Sequence, residues 1–420
     1  MFASIKQIFD PVNKDLRKKI YFTLFCLFVF KLGTAIVVPG VDANLNVGFL
    51  ELLNIMGGGA MQNFSIFALG VMPYITAQII MQLLQMDIVP YFSELAKQGQ
   101  TGRNQLNKIT RILGIAMAFI QGYMFSFAFI QDGSVTDYLS ASLVMTAGTA
   151  FLLWIGDQIT KKGLGNGISM IIMAGILASI PNMFGQAFDG LVNGSDQLAI
   201  GIISFAVFVI MYFVIAFAIL YVQLAERRIP VQYAGKAVGS KVMRGQSTHI
   251  PLSIIGSAVI AIIFAMSVMM FPKTIAEFFP SHNWAIWITT SKYSIFNETT
   301  WMYPAVYALL TIFFTWFYTQ ITFKPDEMAE NLHKSAGFVP GIRPGDATEK
   351  YFEKVLTKVS LVGGVFAALL AILPILISNS QLQGIQFGGT SLLIMVGVGL
   401  DFSRQLDSQL VMRHYQGFLK

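Results

Sequence analysis

The stretch GGGAMQNFSIFALGVMPYITAQ, Gly57 to Gln78, decides how this chain is read. It is too apolar for a soluble loop, yet it opens with three glycines and carries Gln62, Asn63 and Ser65 before turning hydrophobic. Non-helical backbone at membrane depth is tolerated only where protein or a water-filled cavity surrounds it. The segment from about Ala60 to Phe67 is therefore expected as a short re-entrant helix with its polar residues on a wet vestibule. A spanning helix is expected from near Gly70. A frayed outer loop is the alternative.

Working outward, composition names the solvent. Of 420 residues, 55% are hydrophobic and 12% charged, with a mean hydropathy of +0.64. Soluble domains carry about 25% charge, so this chain belongs in a membrane. Runs long enough to cross about 30 Å of hydrocarbon at 1.5 Å per residue recur along its whole length. We read ten: 20–38, 66–86, 109–131, 139–156, 167–184, 199–223, 251–271, 301–322, 356–378 and 388–405.

Charge placement supports that reading. All of the 28 Lys and Arg residues except Lys31, Lys273 and Lys292 lie on one side, before the first run, after the last, in alternate loops or, for Arg111, Lys358 and Arg404, at the ends of runs that face those loops. The positive-inside rule makes that side cytoplasmic and puts both termini there. The net charge of +6 then reflects topology and anionic lipid, not nucleic acid, and no specific DNA binding is expected. The basic start resembles a secretory signal, but IVVPGVD follows the apolar run where a small-residue cleavage site would stand, so a retained first span is expected. The single Cys26 excludes a disulfide framework.

Ten spans divide after the fifth, near Pro181. An odd number per half makes the second five run oppositely to the first, and related halves would form an inverted repeat around a mid-membrane pathway. The expected fold is an all-α membrane protein of two inverted five-helix halves, 1–184 and 185–420, around a central hourglass pore with a re-entrant segment near 57–67.

Further features stand out from the hydrophobic background. In DQITKKGLGNGISMII, Asp157 to Ile172, glycines make a tight cytoplasmic turn; as a nucleotide fingerprint GLGNG lacks its βαβ setting. Ile168 and Ile172 share a helix face, as do Val71 and Ile75, either to line a pathway or to pack into lipid and neighbouring helices. The loop at 323–355 starts KPDE, a helix-start signature, and ends in two Pro-Gly turns that would hold Ile342 and Arg343 out at a stiff tip. The loop at 224–250 contains ERRIPVQYAGKAVG, basic and alternating like a strand. Both loops suit a partner; both also suit plain solvated charge. Lys31, about 17 Å into the first span at 1.5 Å per residue, must face protein or water.

Catalytic chemistry is not visible. The four histidines are scattered, neither HExxH nor GxSxG occurs, and no cofactor or metal cluster is implied, so no enzyme is expected. A secondary transporter of a small solute would show coordinating residues at mid-membrane, whereas the candidates here are aliphatic.

The motifs VVPGVD, GGGAMQNFSIFALGVMPYITAQII, GDQITKKGLGNGIS, AERRIPVQYA, QSTHIPL, AENLHKSAGFVPGIRPG and GGTSLLIMVGVGLD, in that order over nearly the whole chain, resemble the SecY family of protein-conducting channels. The resemblance implies a passive channel in the bacterial plasma membrane. It passes unfolded, signal-bearing preproteins across the membrane and releases membrane segments sideways into lipid. It implies SecE and SecG as companion subunits, and the SecA ATPase or the ribosome as the source of energy.

On matching positions the plug would comprise Gly58, Gly59, Ala60, Met61, Gln62, Asn63, Phe64, Ser65, Ile66 and Phe67. The pore ring would comprise Val71, Ile75, Ile168, Ile172, Ile263 and Ile394. A ring of branched aliphatics dewets when empty yet offers a passing chain no fixed hydrogen bonds. The lateral gate would use Thr76 and Gln121. Ile255 stands where the family usually has Asn, Ala261 where it usually has Pro, and Ser253 where it usually has Lys. A gate held more by apolar contact than by polar bonds is expected. Arg343, with Arg227, Arg228 and Lys236, would dock SecA or the ribosome.

Overall fold

The computed structural model describes residues 14–39, 59–60, 64–85, 89–130, 133–193, 198–233, 237–238, 241–242, 247–256, 258–277, 282–291, 293–297, 300–378 and 389–417. In chain order the helices are α1 Lys14–Gly33, α2 Met72–Leu83, α3 Pro90–Lys97, α4 Gly99–Phe129, α5 Val135–Lys162, α6 Gly167–Phe188, α7 Leu198–Leu224, α8 Ala258–Glu277, α9 Asn283–Thr290, α10 Met302–Phe323, α11 Pro325–Lys334, α12 Asp346–Ser378 and α13 Gly389–Gly417. The strands are β1 Glu226–Tyr233, β2 Ala237–Val238, β3 Lys241–Val242, β4 Ser247–Ser253 and β5 Gly337–Phe338.

Among the described residues, six helical stretches are both long and apolar enough to cross a membrane, the most apolar being Leu198–Leu224. The remaining sequence runs also fall on helices. Charge at Arg17, Lys18, Lys19 and Lys31 dilutes α1, and Asp401, Arg404 and Asp407 dilute α13. Helix α2 has only 12 residues, because the chain before it is built of turns. Many apolar side chains of α7, among them Ile203, Phe213 and Phe217, are exposed, a surface suited to lipid and unsuited to water.

The contacts divide the chain into two compact units, Met1–Phe205 with Gly384–Lys420, and Ala206–Gln383. In the first, α4 packs on α2, α3 and α5, while α6 packs on α1, α5 and α13. The GLGNG turn joining α5 to α6 is drawn tight by hydroxyls. Thr160 Oγ1 accepts from the Gly167 amide and donates to the Gly156 carbonyl, each at 2.9 Å. A Cβ on Gly167 would overlap that same carbonyl, so the two helices meet here backbone to backbone. Thr23 of α1 accepts from the Leu164 amide at 3.1 Å, and below it Leu16, Leu164, Leu406 and Leu410 close a small core.

In the second unit α10 and α12 lie side by side, with α8 against both. Gly364 admits the α10 backbone, a Cβ there meeting Ile312 Cα at 3.2 Å. Gln320 Nε2 donates to Thr357 Oγ1 at 3.0 Å. Two glycine-lined approaches plus interhelical polar bonds are how helices associate where lipid removes the hydrophobic drive.

The same unit carries a small subdomain that holds all the strands among the described residues and departs from the expected all-α fold. Strand order is β4-β1-β5, all antiparallel, with Ile229 opposite Ile250 and Gln232 opposite Phe338. The alternation of ERRIPVQY puts Ile229 and Val231 on one face, where they meet Leu252, Leu332, Val339, Phe352 and Leu356 in a closed core. Pro230 is tolerated because β5 reaches only Gln232 and Tyr233. The sheet also corrects the expected seventh span. Residues 251–253 are the end of β4, paired with Glu226 to Arg228, so the helix begins at Ala258 and not at 251.

Candidate functional site

Three groups of residues carry the sequence expectations. The first is the segment leading into α2. Gly58, Met61, Gln62 and Asn63 lie outside the described residues. Where the expected re-entrant helix falls on described residues, Phe64 to Phe67 are turns and not helix; from Phe64 to Val71 the chain is buried except for the half-buried Ile66.

Phe64 adopts φ +43° and Gly70 φ +57°, values that interrupt any helix. The Ser65 side chain has no exposure; its Oγ accepts from the Phe67 amide at 3.3 Å. Buried in this way, it is satisfied locally and needs no water. Ala60 is equally buried and its carbonyl accepts from the Ser65 amide at 2.9 Å. Gly59, at φ +85°, has open space around it.

The second group is the set of aliphatics. Val71 caps α2, whose second helical residue is Pro73, and its carbonyl accepts from Ile75 at 3.1 Å. Asn166 Oδ1 accepts from the Ile168 amide at 3.1 Å, which starts α6 and sets the direction of Ile168 and Ile172 along it. Val71, Ile172, Ile263 and Ile394 are buried; Ile75 and Ile168 are half-buried. All but Ile263 belong to the first compact unit.

Among the gate residues, Thr76 donates to the Met72 carbonyl at 3.1 Å, within its own helix, and Gln121 is half-buried on α4. Ile255 is buried in the turn between β4 and α8, and Ala261 is fully buried on α8. The turn is held close to α12, since a Cβ on Gly363 would overlap the Ile254 carbonyl.

The third group is the exposed tip. Arg343 is exposed between Gly341 at φ +81° and Gly345 at φ +102°. Ile342 does not project with it, as the sequence suggested, but is partly buried against the subdomain core, where its apolar side chain is withdrawn from water. Arg227 and Arg228 are exposed on β1, and Lys236 lies outside the described residues.

Some residues escaped the sequence reading. Thr348 is buried, and its Oγ1 donates to the Arg343 carbonyl at 2.9 Å. Arg111 of α4 pairs with Asp157 of α5, a contact between two helices through residues 46 positions apart. Neither has a local sequence signature beyond charge or a hydroxyl. Lys31, singled out for its depth, is exposed in the last turn of α1. No group of three or more His, Cys, Asp or Glu able to hold a metal occurs among the described residues.

Six apolar helices of spanning length among the described residues mark a multi-pass membrane protein. Comparison with known proteins makes that specific. The SecY family model matches residues 65–403, and the chain belongs to the SecY family.

It is 47% identical over 437 residues to the protein translocase subunit SecY of Halalkalibacterium halodurans, covering 100% of both chains. To that of Bacillus subtilis it is 45% identical over 422 residues, covering 97% of each. The fold is similar to that of a solved structure described as "The structure of a protein conducting channel", with TM-score 0.63 and 16% identity over 93% of this chain and 92% of that one. It is also similar to Sec61 in a canine ribosome-channel complex from the endoplasmic reticulum, with TM-score 0.58 and 16% identity over 93% and 92%.

Proposed function

We propose that this chain is the pore-forming subunit of a protein-conducting channel in the bacterial plasma membrane, moving unfolded preproteins outward and releasing apolar segments sideways into lipid. The observation that carries the reading is similarity over the full length to SecY translocase subunits. The aliphatic character of the expected ring adds the mechanism. Val71, Ile75, Ile168, Ile172, Ile263 and Ile394 offer an extended polypeptide neither charge nor hydrogen bond, so passage is indifferent to its sequence, while an empty ring sheds water and resists ions.

Ten spans in two inverted halves, 1–184 and 185–420, with both termini cytoplasmic, follow from the charge distribution and remain part of the proposal. So does the lateral gate, with Thr76, Gln121 and Ile255 on its surfaces. The buried Ile255 supports a gate closed by apolar packing. SecE and SecG are the proposed companion subunits, and SecA or the ribosome the proposed motor.

The tip at Arg343, with Arg227, Arg228 and Lys236, is the proposed docking surface, its stiffness coming from the Thr348 hydrogen bond and the core beneath it. The chain itself supplies no catalysis. Reconstitution with SecE and SecA tests the whole reading: ATP-dependent protection of a preprotein from external protease is expected, and ion-coupled uptake of a small solute in its place would overturn it.

A further inference from the structure

The segment that ends at α2 is the most heavily fastened piece of turn structure in the first compact unit. Its backbone runs antiparallel to the chain leaving α1. The Val38 amide donates to the Phe64 carbonyl and the Ile66 amide to the Ile36 carbonyl, both at 2.9 Å, with Val37 opposite Ser65. Phe64 sits in a core with Val38, Leu69, Ala118, Ala141 and Met145.

Phe67 is 1% exposed and lies between two glycines. A Cβ on Gly33 of α1 would overlap its ring, and a Cβ on Gly148 of α5 would overlap the neighbouring Ile66 carbonyl and meet the Phe67 ring at 3.2 Å. The ring stacks on Phe30 and on Phe151, centroids 6.2 Å away on either side. Thr149 Oγ1 closes the set by donating to the Gly70 carbonyl at 3.2 Å. The next residue is Val71.

We infer that Phe64 to Gly70 is a fixed bracket that seats Val71 in the pore, and that it stays docked on α1 and α5 while a substrate passes. Phe67 and Thr149 are positioning residues in it. This rests on the channel reading above and limits one part of it: Phe64, Ser65, Ile66 and Phe67, which family resemblance places in the displaceable plug, are not displaced. The physical reason is additive fastening. Moving the segment as a body would break two interstrand hydrogen bonds, a hydroxyl-to-carbonyl bond and both ring contacts of the buried Phe67 at once. On the α5 side the segment meets the helix at Gly148, where there is no side chain to swing aside and backbone faces backbone. A pore whose rim residue is held from outside the pore keeps its register through repeated openings.

The test is a lock. Val37 and Ser65 flank the two interstrand bonds as a non-hydrogen-bonded pair, for which Cα atoms stand about 4.5 Å apart, within the range of about 4.4–6.8 Å that a disulfide spans. Full-length Cys26→Ala with Val37→Cys and Ser65→Cys is reconstituted with SecE and SecA, and preprotein export is compared in oxidised and reduced states. Equal export in both states is expected; a loss of about tenfold on oxidation that reductant restores would overturn the bracket while leaving the channel reading intact. Failure of the unaltered protein, reconstituted in the same way, to export anything would instead remove the channel reading.

Ser65→Cys alone, in the same parent, gives a readout independent of the crosslink. Its thiol is expected to resist a membrane-impermeant maleimide both in the idle channel and with a preprotein arrested inside. Labelling only when the channel is occupied would show that the segment leaves its site.

Discussion

Replacing Thr348 by Val tests whether the docking tip works by being held still. The Thr348 side chain is 2% exposed and its hydroxyl donates to the Arg343 carbonyl at 2.9 Å. Val keeps the branched shape and removes the donor. A neutral hydrogen bond of this kind contributes about 1 kcal/mol net, and the exposed tip lets water replace some of the loss, so that figure is an upper value here. At 1.4 kcal/mol per factor of ten, that shifts the ordered-to-disordered ratio of the tip about fivefold.

A partner that binds only the ordered tip loses affinity in proportion to the ordered fraction, so about fivefold is the ceiling on the expected weakening. Titration of the reconstituted Thr348→Val channel with SecA, or with ribosomes, measures it against wild type. Thr348→Ser restores the donor and should recover most of the affinity. Unchanged affinity in the Val variant, or equal weakening in Ser and Val, would refute the reasoning, the first by showing that the tip needs no such hold and the second by pointing to packing.

Other perturbations reach the remaining parts. Arg343→Glu reverses the exposed charge at the tip and is expected to abolish SecA-driven export while the channel assembles normally; normal export by the variant would make the tip dispensable. Phe352→Ala empties the centre of the cytoplasmic subdomain, where Phe352 has no exposure. It should cost about 3–5 kcal/mol, read as rapid tryptic cleavage within 226–253 and 325–343 while the spans stay protease-resistant. Ile255→Asn places an amide at a site only 3% exposed, where an unpaired polar group costs about 1–3 kcal/mol. It should change how hydrophobic a signal sequence must be for export, and an unaltered hydrophobicity threshold would count against a gate held by apolar contact.

The multi-pass membrane character, the position of six apolar helices of spanning length and the helix start at Pro325 were legible because each depends on residues close together in the chain. Mean hydropathy over a window, the sidedness of Lys and Arg, and Pro with two acids at a helix start are local quantities. Strand β1 was legible for the same reason, its period-two pattern being written in eight consecutive residues. The start of the seventh span was not, because Pro251 to Ser253 are apolar enough for a helix and are claimed by pairing with Glu226 to Arg228 across a connection that sequence alone does not align.

The stretch from Gly57 to Gln78 shows the division most sharply. Its composition determined that the chain could be neither ordinary soluble loop nor ordinary lipid-facing helix, since exposed backbone is intolerable in hydrocarbon. Only the folded arrangement decided that Phe64 to Val71 would be buried turns. The residues that make it so, Gly33, Val37, Gly148 and Thr149, come from helices and strands far away, with Thr149 and Gly70 separated by 79 positions. Local chemistry can demand that a polar backbone be covered, but what covers it depends on which helices cross, and a crossing is a property of the packed chain.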